Sequence, residues 1–142
     1  MALCEVDDSN WQLLDRAFSI VKALNMRVKM MQPADHDLHT AYVSHLSHVS
    51  SFMLGKTVLE IEKDEAHIFD LASTGFASTV RLAKSDAQMW CPIFLENKDN
   101  ILKALNEYIK NLEAFKMLIA TEQAEALTQS IHEANYIRKI LK

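Results

Sequence analysis

Two glycines and two prolines in 142 residues leave this chain very few places to turn sharply. Hairpin turns draw on glycine for positive φ and on proline for a preset φ, so a sandwich of short strands is excluded and long helices with few connections are expected. Hydrophobic residues make up 49% of the chain and charged residues 24%, the balance of a globular protein that buries a core. The length suits one domain, or one domain with a remnant of another, and a two-domain enzyme does not fit.

The formal net charge is −4, the wrong sign for affinity built on neutralising phosphates, so no nucleic-acid partner is expected. Cys4 and Cys91 stand far apart without metal-ligand spacing, and two thiols make no disulfide framework, which points to a cytoplasmic location. Asp7 and Asp8 interrupt the first apolar residues where a secretory leader would continue, and no apolar run approaches the roughly 18 residues of a membrane span. No membrane association is expected.

Along the chain, Leu3 to Val6 is a short apolar run, Ser9 or Asn10 can cap a helix, and Leu14, Ala17, Phe18, Val21 and Leu24 follow at helical spacing up to a stop at Asn25. Met26 to Met30 then alternates like a half-buried strand. Residues 1–33 therefore read as strand, helix, strand and linker, a single crossover unit too small to be stable alone. Beyond Pro33, Asp35 is an N-cap candidate for one long helix over 36–61, carrying Leu38, Ala41, Tyr42, His45, Val49 and Phe52 at three- and four-residue steps. Asp64 can cap a shorter helix through Leu71, Gly75 marks a break, and Phe76 to Lys84 is helix-compatible. Ser85 or Asp86 starts a further segment, and Pro92 predicts a kink or restart near Trp90 and Cys91. An amphipathic stripe from Ile101 to Ile119 and a last helix capped by Thr121 complete a helical region over 34–142.

The only glycines, Gly55 and Gly75, cannot build a phosphate-cradling loop, no serine or cysteine stands in a nucleophile elbow, and Glu60, Glu62 and Asp64 read as a solvated face. Four histidines fall close together, His36, His39, His45 and His48. On a continuous helix at about 100° per residue, the first pair and the second pair point to different sides, so no metal site is expected. His45 lies on the apolar stripe, where it reads either as a hydrogen-bonded core histidine or as a ligand contact.

The segment from His36 to His48 resembles the H-D-x-x-x-A-x-x-S-H-L-P-H signature of prephenate and arogenate dehydrogenases, with Ser47 in place of the proline. Gly75 to Ala83 resembles that family's G-F-R-D-T-T-R-I-A, and Met89-Trp90-Cys91-Pro92-Ile93 followed by Asn97 resembles its M-W-x-D-I-x-x-x-N. Ala77, Ser78, Val80 and Pro92 depart from the pattern, whereas His45, His48 and Arg81 keep it.

The resemblance implies a mainly α-helical dimerisation and substrate-binding domain over 34–142, preceded by the β-α-β remnant of a Rossmann domain whose greater part is missing. It implies substrate contacts from Arg81, His45, His48, Ser44, Gly75 and Trp90, with no catalytic, cofactor-binding or metal-binding residue in this chain. The complete enzyme would oxidatively decarboxylate prephenate, or act on arogenate, with NAD or NADP, as a homodimer. This chain alone would bind no cofactor and be inactive, supplying dimer contacts and half of the substrate pocket. Two rivals stand beside this expectation: a non-catalytic helical dimerisation or ligand-sensing module, and a metal-binding bundle built on the histidines.

Overall fold

The computed structural model describes residues 1–65 and 67–141. They are mostly α-helical and form two compact units, Met1–Ile101 and Leu102–Lys142.

The first unit opens with the expected crossover. Strand β1 (Ala2–Leu3), helix α1 (Trp11–Ala23) and strand β2 (Lys29–Met30) make a two-stranded parallel sheet, with Ala2 opposite Lys29 and Leu3 opposite Met30. Both strands are shorter than the apolar runs predict. Glu5 takes a left-handed φ of 53° and sends the backbone into a 3-10 turn, Val6–Asp8, which ends β1 early. Asn10 caps α1 by accepting the N–H groups of Gln12 and Leu13. At the other end Asn25, with φ 51°, closes a Schellman motif in which its N–H donates to Lys22 and that of Met26 to Val21. Asparagine tolerates the left-handed region better than most residues, which explains why the helix stops there. Val21 is buried, yet Trp11 and Ile20 on the same helix stay 73% and 61% exposed.

The long helix expected over 36–61 divides. Helix α2 (Pro33–Thr40) starts at Pro33, with Gln32 as the flanking residue, so Asp35 sits in the first turn rather than at the cap. Proline suits that first position because its missing N–H would have had no partner there. Five residues, Ala41–His45, then form a π-helical turn before α3 (Leu46–Glu62). A π turn accommodates an additional residue and so changes the angular phase of everything after it, which overturns the continuous-helix estimate for the histidines. Among the described residues, no group of three or more His, Cys, Asp or Glu is arranged to hold a metal ion.

Beyond α3 the expected helix from Asp64 to Leu71 is a 3-10 turn, Ile68–Leu71, with Ala66 outside the described residues. Glu62, rather than Asp64, satisfies its start, its carboxylate accepting the N–H groups of His67 and Phe69. The break lies before Gly75: α4 (Thr74–Thr79) begins after extended Ser73, and Gly75 is its second residue. A 3-10 turn, Arg81–Lys84, follows. Helix α5 (Ala87–Glu96), capped by Asp86, passes through Pro92 as one element. Pro92 is exposed, so the ladder bond it removes lies towards solvent, while Trp90, Ile93 and Phe94 hold the helix by packing.

Helix α6 (Lys98–Ala120) carries the chain from the first unit into the second. It ends in another Schellman motif centred on Glu122, φ 52°, where the N–H of Glu122 donates to Ile119 and that of Gln123 to Leu118. The predicted Thr121 cap is therefore displaced. Its hydroxyl donates back to Met117, and α7 (Ala124–Ala134) starts after Gln123. In this second unit Leu112, Met117, Ile119, Ile131, Tyr136 and Ile137 are exposed. No helix among the described residues is long and apolar enough to cross a membrane.

Candidate functional site

The π turn, α3 and α5 bring His45, His48 and Trp90 together. Trp90 is 8% exposed, and His48 stacks on it with ring centroids 3.4 Å apart. His45 meets the same indole edge-on at 6.0 Å and Phe94 at 6.5 Å. Phe52, four residues after His48, and Phe94, four after Trp90, close the aromatic cluster with their rings 6.3 Å apart. Beside it, Phe52, Met53, Trp90, Cys91, Phe94 and Leu95 line an apolar groove of about 550 Å³.

Hydrogen bonds orient both imidazoles. His48 Nδ1 faces the carbonyl of Ser44 at 2.9 Å, and since a carbonyl only accepts, Nδ1 carries the proton and leaves Nε2 as acceptor in the neutral ring. The Ser44 carbonyl thus orients His48. His45 Nδ1 lies 3.3 Å from Asn97 Nδ2, which also donates to the carbonyl of Asp37 at 2.7 Å. Burial, and then the nearby His48, push the His45 pKa below the ordinary histidine value; Asp37 opposes this and His36 adds to it. Histidines from both sides of the π turn therefore share one electrostatic environment.

Arg81 and Gly75 form no hydrogen bond with this cluster. They belong to the segment that α3 holds through Ser51, which is 2% exposed. The Ser51 hydroxyl donates to the carbonyl of Thr79 and accepts the N–H of Ala83, both at 3.0 Å, bracketing Arg81. Four residues further along α3, a Cβ placed on Gly55 would lie 3.5 Å from that of Ala83, an ordinary packing distance, so α3 and this turn are in contact there. Arg81 itself is exposed and has no salt bridge among the described residues, leaving its guanidinium fork open to a carboxylate.

The matched family model, described as prephenate dehydrogenase, dimerization domain, covers residues 32–133. The chain belongs to the prephenate dehydrogenase family. The prephenate dehydrogenase of Bacillus subtilis (strain 168) is 29% identical over 116 residues, which are 82% of this chain and 31% of that one. The cyclohexadienyl dehydrogenase of Zymomonas mobilis subsp. mobilis is 30% identical over 117 residues, 82% of this chain and 40% of that one. The crystal structure of prephenate dehydrogenase from A. aeolicus, in complex with hydroxyphenyl propionate and NAD+, superposes with a TM-score of 0.86 at 32% identity, over 99% of this chain and 49% of that one. This prephenate dehydrogenase family chain thus spans less than half the length of each of these relatives.

Asn97, Ser51, Phe52 and Phe94 were not among the expected contacts. Asn97 carried a signal as the closing residue of the tryptophan motif, and the two phenylalanines had their four-residue spacing; a buried serine among several serines carries none.

The turn between β1 and α1 does not fit a pyrophosphate. No glycine lies between β1 and α1, and two N–H groups at the start of α1 are already taken by Asn10. The hollow of about 510 Å³ beyond the strand ends is lined by Glu5, Asp7 and Asp35, whose carboxylates oppose a pyrophosphate.

Proposed function

We propose that this chain is the substrate-binding and dimerisation part of a dehydrogenase that oxidatively decarboxylates prephenate to 4-hydroxyphenylpyruvate, with NAD or NADP as hydride acceptor. Arogenate is the alternative substrate. The observation that carries the reading is the family match over 32–133, a span that contains His45, His48, Trp90 and Arg81. The A. aeolicus relative holds hydroxyphenyl propionate and NAD+, and that ligand has an aromatic ring with a hydroxyl and a carboxylate. A substrate with the same groups suits an arginine fork together with neutral imidazole donors and acceptors. The cofactor belongs to a nucleotide-binding half outside this chain. The exposed apolar residues of α6 and α7 support pairing of two copies, since large uncovered apolar patches mark interfaces.

The test joins this chain to the nucleotide-binding half of a relative and compares Arg81→Lys and Arg81→Ala with the parent. Loss of a bidentate charged contact costs about 1.5 to 3 kcal/mol, so both variants raise the Michaelis constant for prephenate about tenfold or more and leave cofactor affinity unchanged. Parent-like prephenate kinetics in Arg81→Ala would remove Arg81 from the site. Light scattering of the chain alone should return twice 16.2 kDa, and a monomer at tens of micromolar would overturn the dimer.

A further inference from the structure

The amide of Asn97 can be oriented in only one way. Its Nδ2 faces the carbonyl of Asp37 at 2.7 Å, and a reversed amide would set two acceptors against each other. In that orientation its Oδ1 accepts from Asn100 Nδ2 at 2.8 Å. The remaining hydrogen on Nδ2 is directed to His45 Nδ1, 3.3 Å away, and a nitrogen receiving that hydrogen bond carries no proton. His48 has the opposite constraint from the Ser44 carbonyl.

We propose that Asn97 is a positioning residue that locks His45 as the tautomer protonated on Nε2, while the Ser44 carbonyl locks His48 as the tautomer protonated on Nδ1. Outward from the two locks, His45 then offers a donor and His48 an acceptor. A ligand that sets an acceptor against His45 and a donor against His48 matches this pair where two like tautomers would not. This last consequence rests on the substrate reading above; the tautomers do not. Asn97 joins the sites because it lies between α5 and α6, holding the backbone of α2 with one hydrogen and the imidazole with the other.

Long-range nitrogen–proton NMR on the chain labelled in its histidines reads each tautomer directly, without substrate or cofactor. At neutral pH we expect a protonated Nε2 on His45 and a protonated Nδ1 on His48. A protonated Nδ1 on His45 in the unmodified chain would overturn the proposal, whatever any variant does. In Asn97→Asp the amide donor becomes a carboxylate that draws a proton to His45 Nδ1. Its tautomer should reverse, and its titration midpoint should rise by about one pH unit or more against the same neighbours, His36, Asp37 and His48. The His48 signals should stay where they are. A folded Asn97→Asp that kept the Nε2 tautomer would reduce Asn97 to a structural tie and overturn the proposal. The substrate reading fails separately: normal prephenate kinetics in a joined enzyme carrying Asn97→Asp, with the tautomer reversed, would remove His45 from substrate contact and leave the lock standing.

Discussion

The His48 imidazole lies over the Trp90 indole, ring centroids 3.4 Å apart and planes 25° from parallel. This pairing joins the histidine motif of α3 to the tryptophan motif of α5, placing two stretches some forty positions apart in sequence against one another. Trp90 is also the largest side chain in the buried core. Trp90→Ala should therefore destabilise the chain by about 3 to 5 kcal/mol, and Trp90→Phe by less, read from urea unfolding followed by circular dichroism. A loss under about 1 kcal/mol for alanine would show that the cluster is not part of the stabilising core.

Ser51 ties α3 to the turn that carries Arg81. Ser51→Ala should cost about 1 to 2 kcal/mol, the lower part of the range for a lost buried partner, because the Ala83 N–H keeps a second acceptor in Val80. In the joined enzyme the same variant should raise the Michaelis constant for prephenate, since the bracket around Arg81 loosens. Unchanged stability would contradict the burial of this hydroxyl.

Glu122 holds a left-handed φ of 52° at the end of α6, where glycine is the residue without a Cβ penalty. Glu122→Gly should stabilise the chain by a net amount of about 0.5 to 1 kcal/mol, and Asn25→Gly by less, because asparagine already tolerates that region. Thermal unfolding of both variants beside the parent checks the order; a destabilised Glu122→Gly would be evidence against the Schellman geometry.

His45 makes stability depend on pH in a fixed direction. Its pKa is lowered on folding, so between the folded value and the ordinary value of 6.5 the unfolded chain binds more protons. Stability is therefore greatest above the ordinary value and is lost as pH falls through that window. Other histidines lie nearby, so the measurement is a difference: His45→Gln should flatten part of the stability profile just below the ordinary value of 6.5. A parent and variant with parallel profiles would mean that His45 titrates as an exposed histidine does.

Local chemistry was readable wherever it acts within a few residues. The asparagine that caps α1 and the one that ends it, the aspartate that caps α5, and the near absence of glycine and proline all followed from side chains meeting their own backbone, so the mainly helical architecture and the β-α-β opening could be read from order alone. The motifs around His45, Arg81 and Trp90 were legible for the same reason, as fixed spacings. Other features depended on contacts that spacing does not encode. The π turn at Ala41–His45 changes which histidines share an environment, Pro92 stays inside a helix held by packing, and Glu62 takes the capping role expected of Asp64. The buried Ser51 reaches across 28 residues to the carbonyl of Thr79, and Asn97 across 60 to that of Asp37. Sequence determined the periodicity and the caps because those energies are local; tertiary structure decided the histidine orientations and the Arg81 turn, because a buried donor or acceptor takes whichever partner the packed fold brings to it.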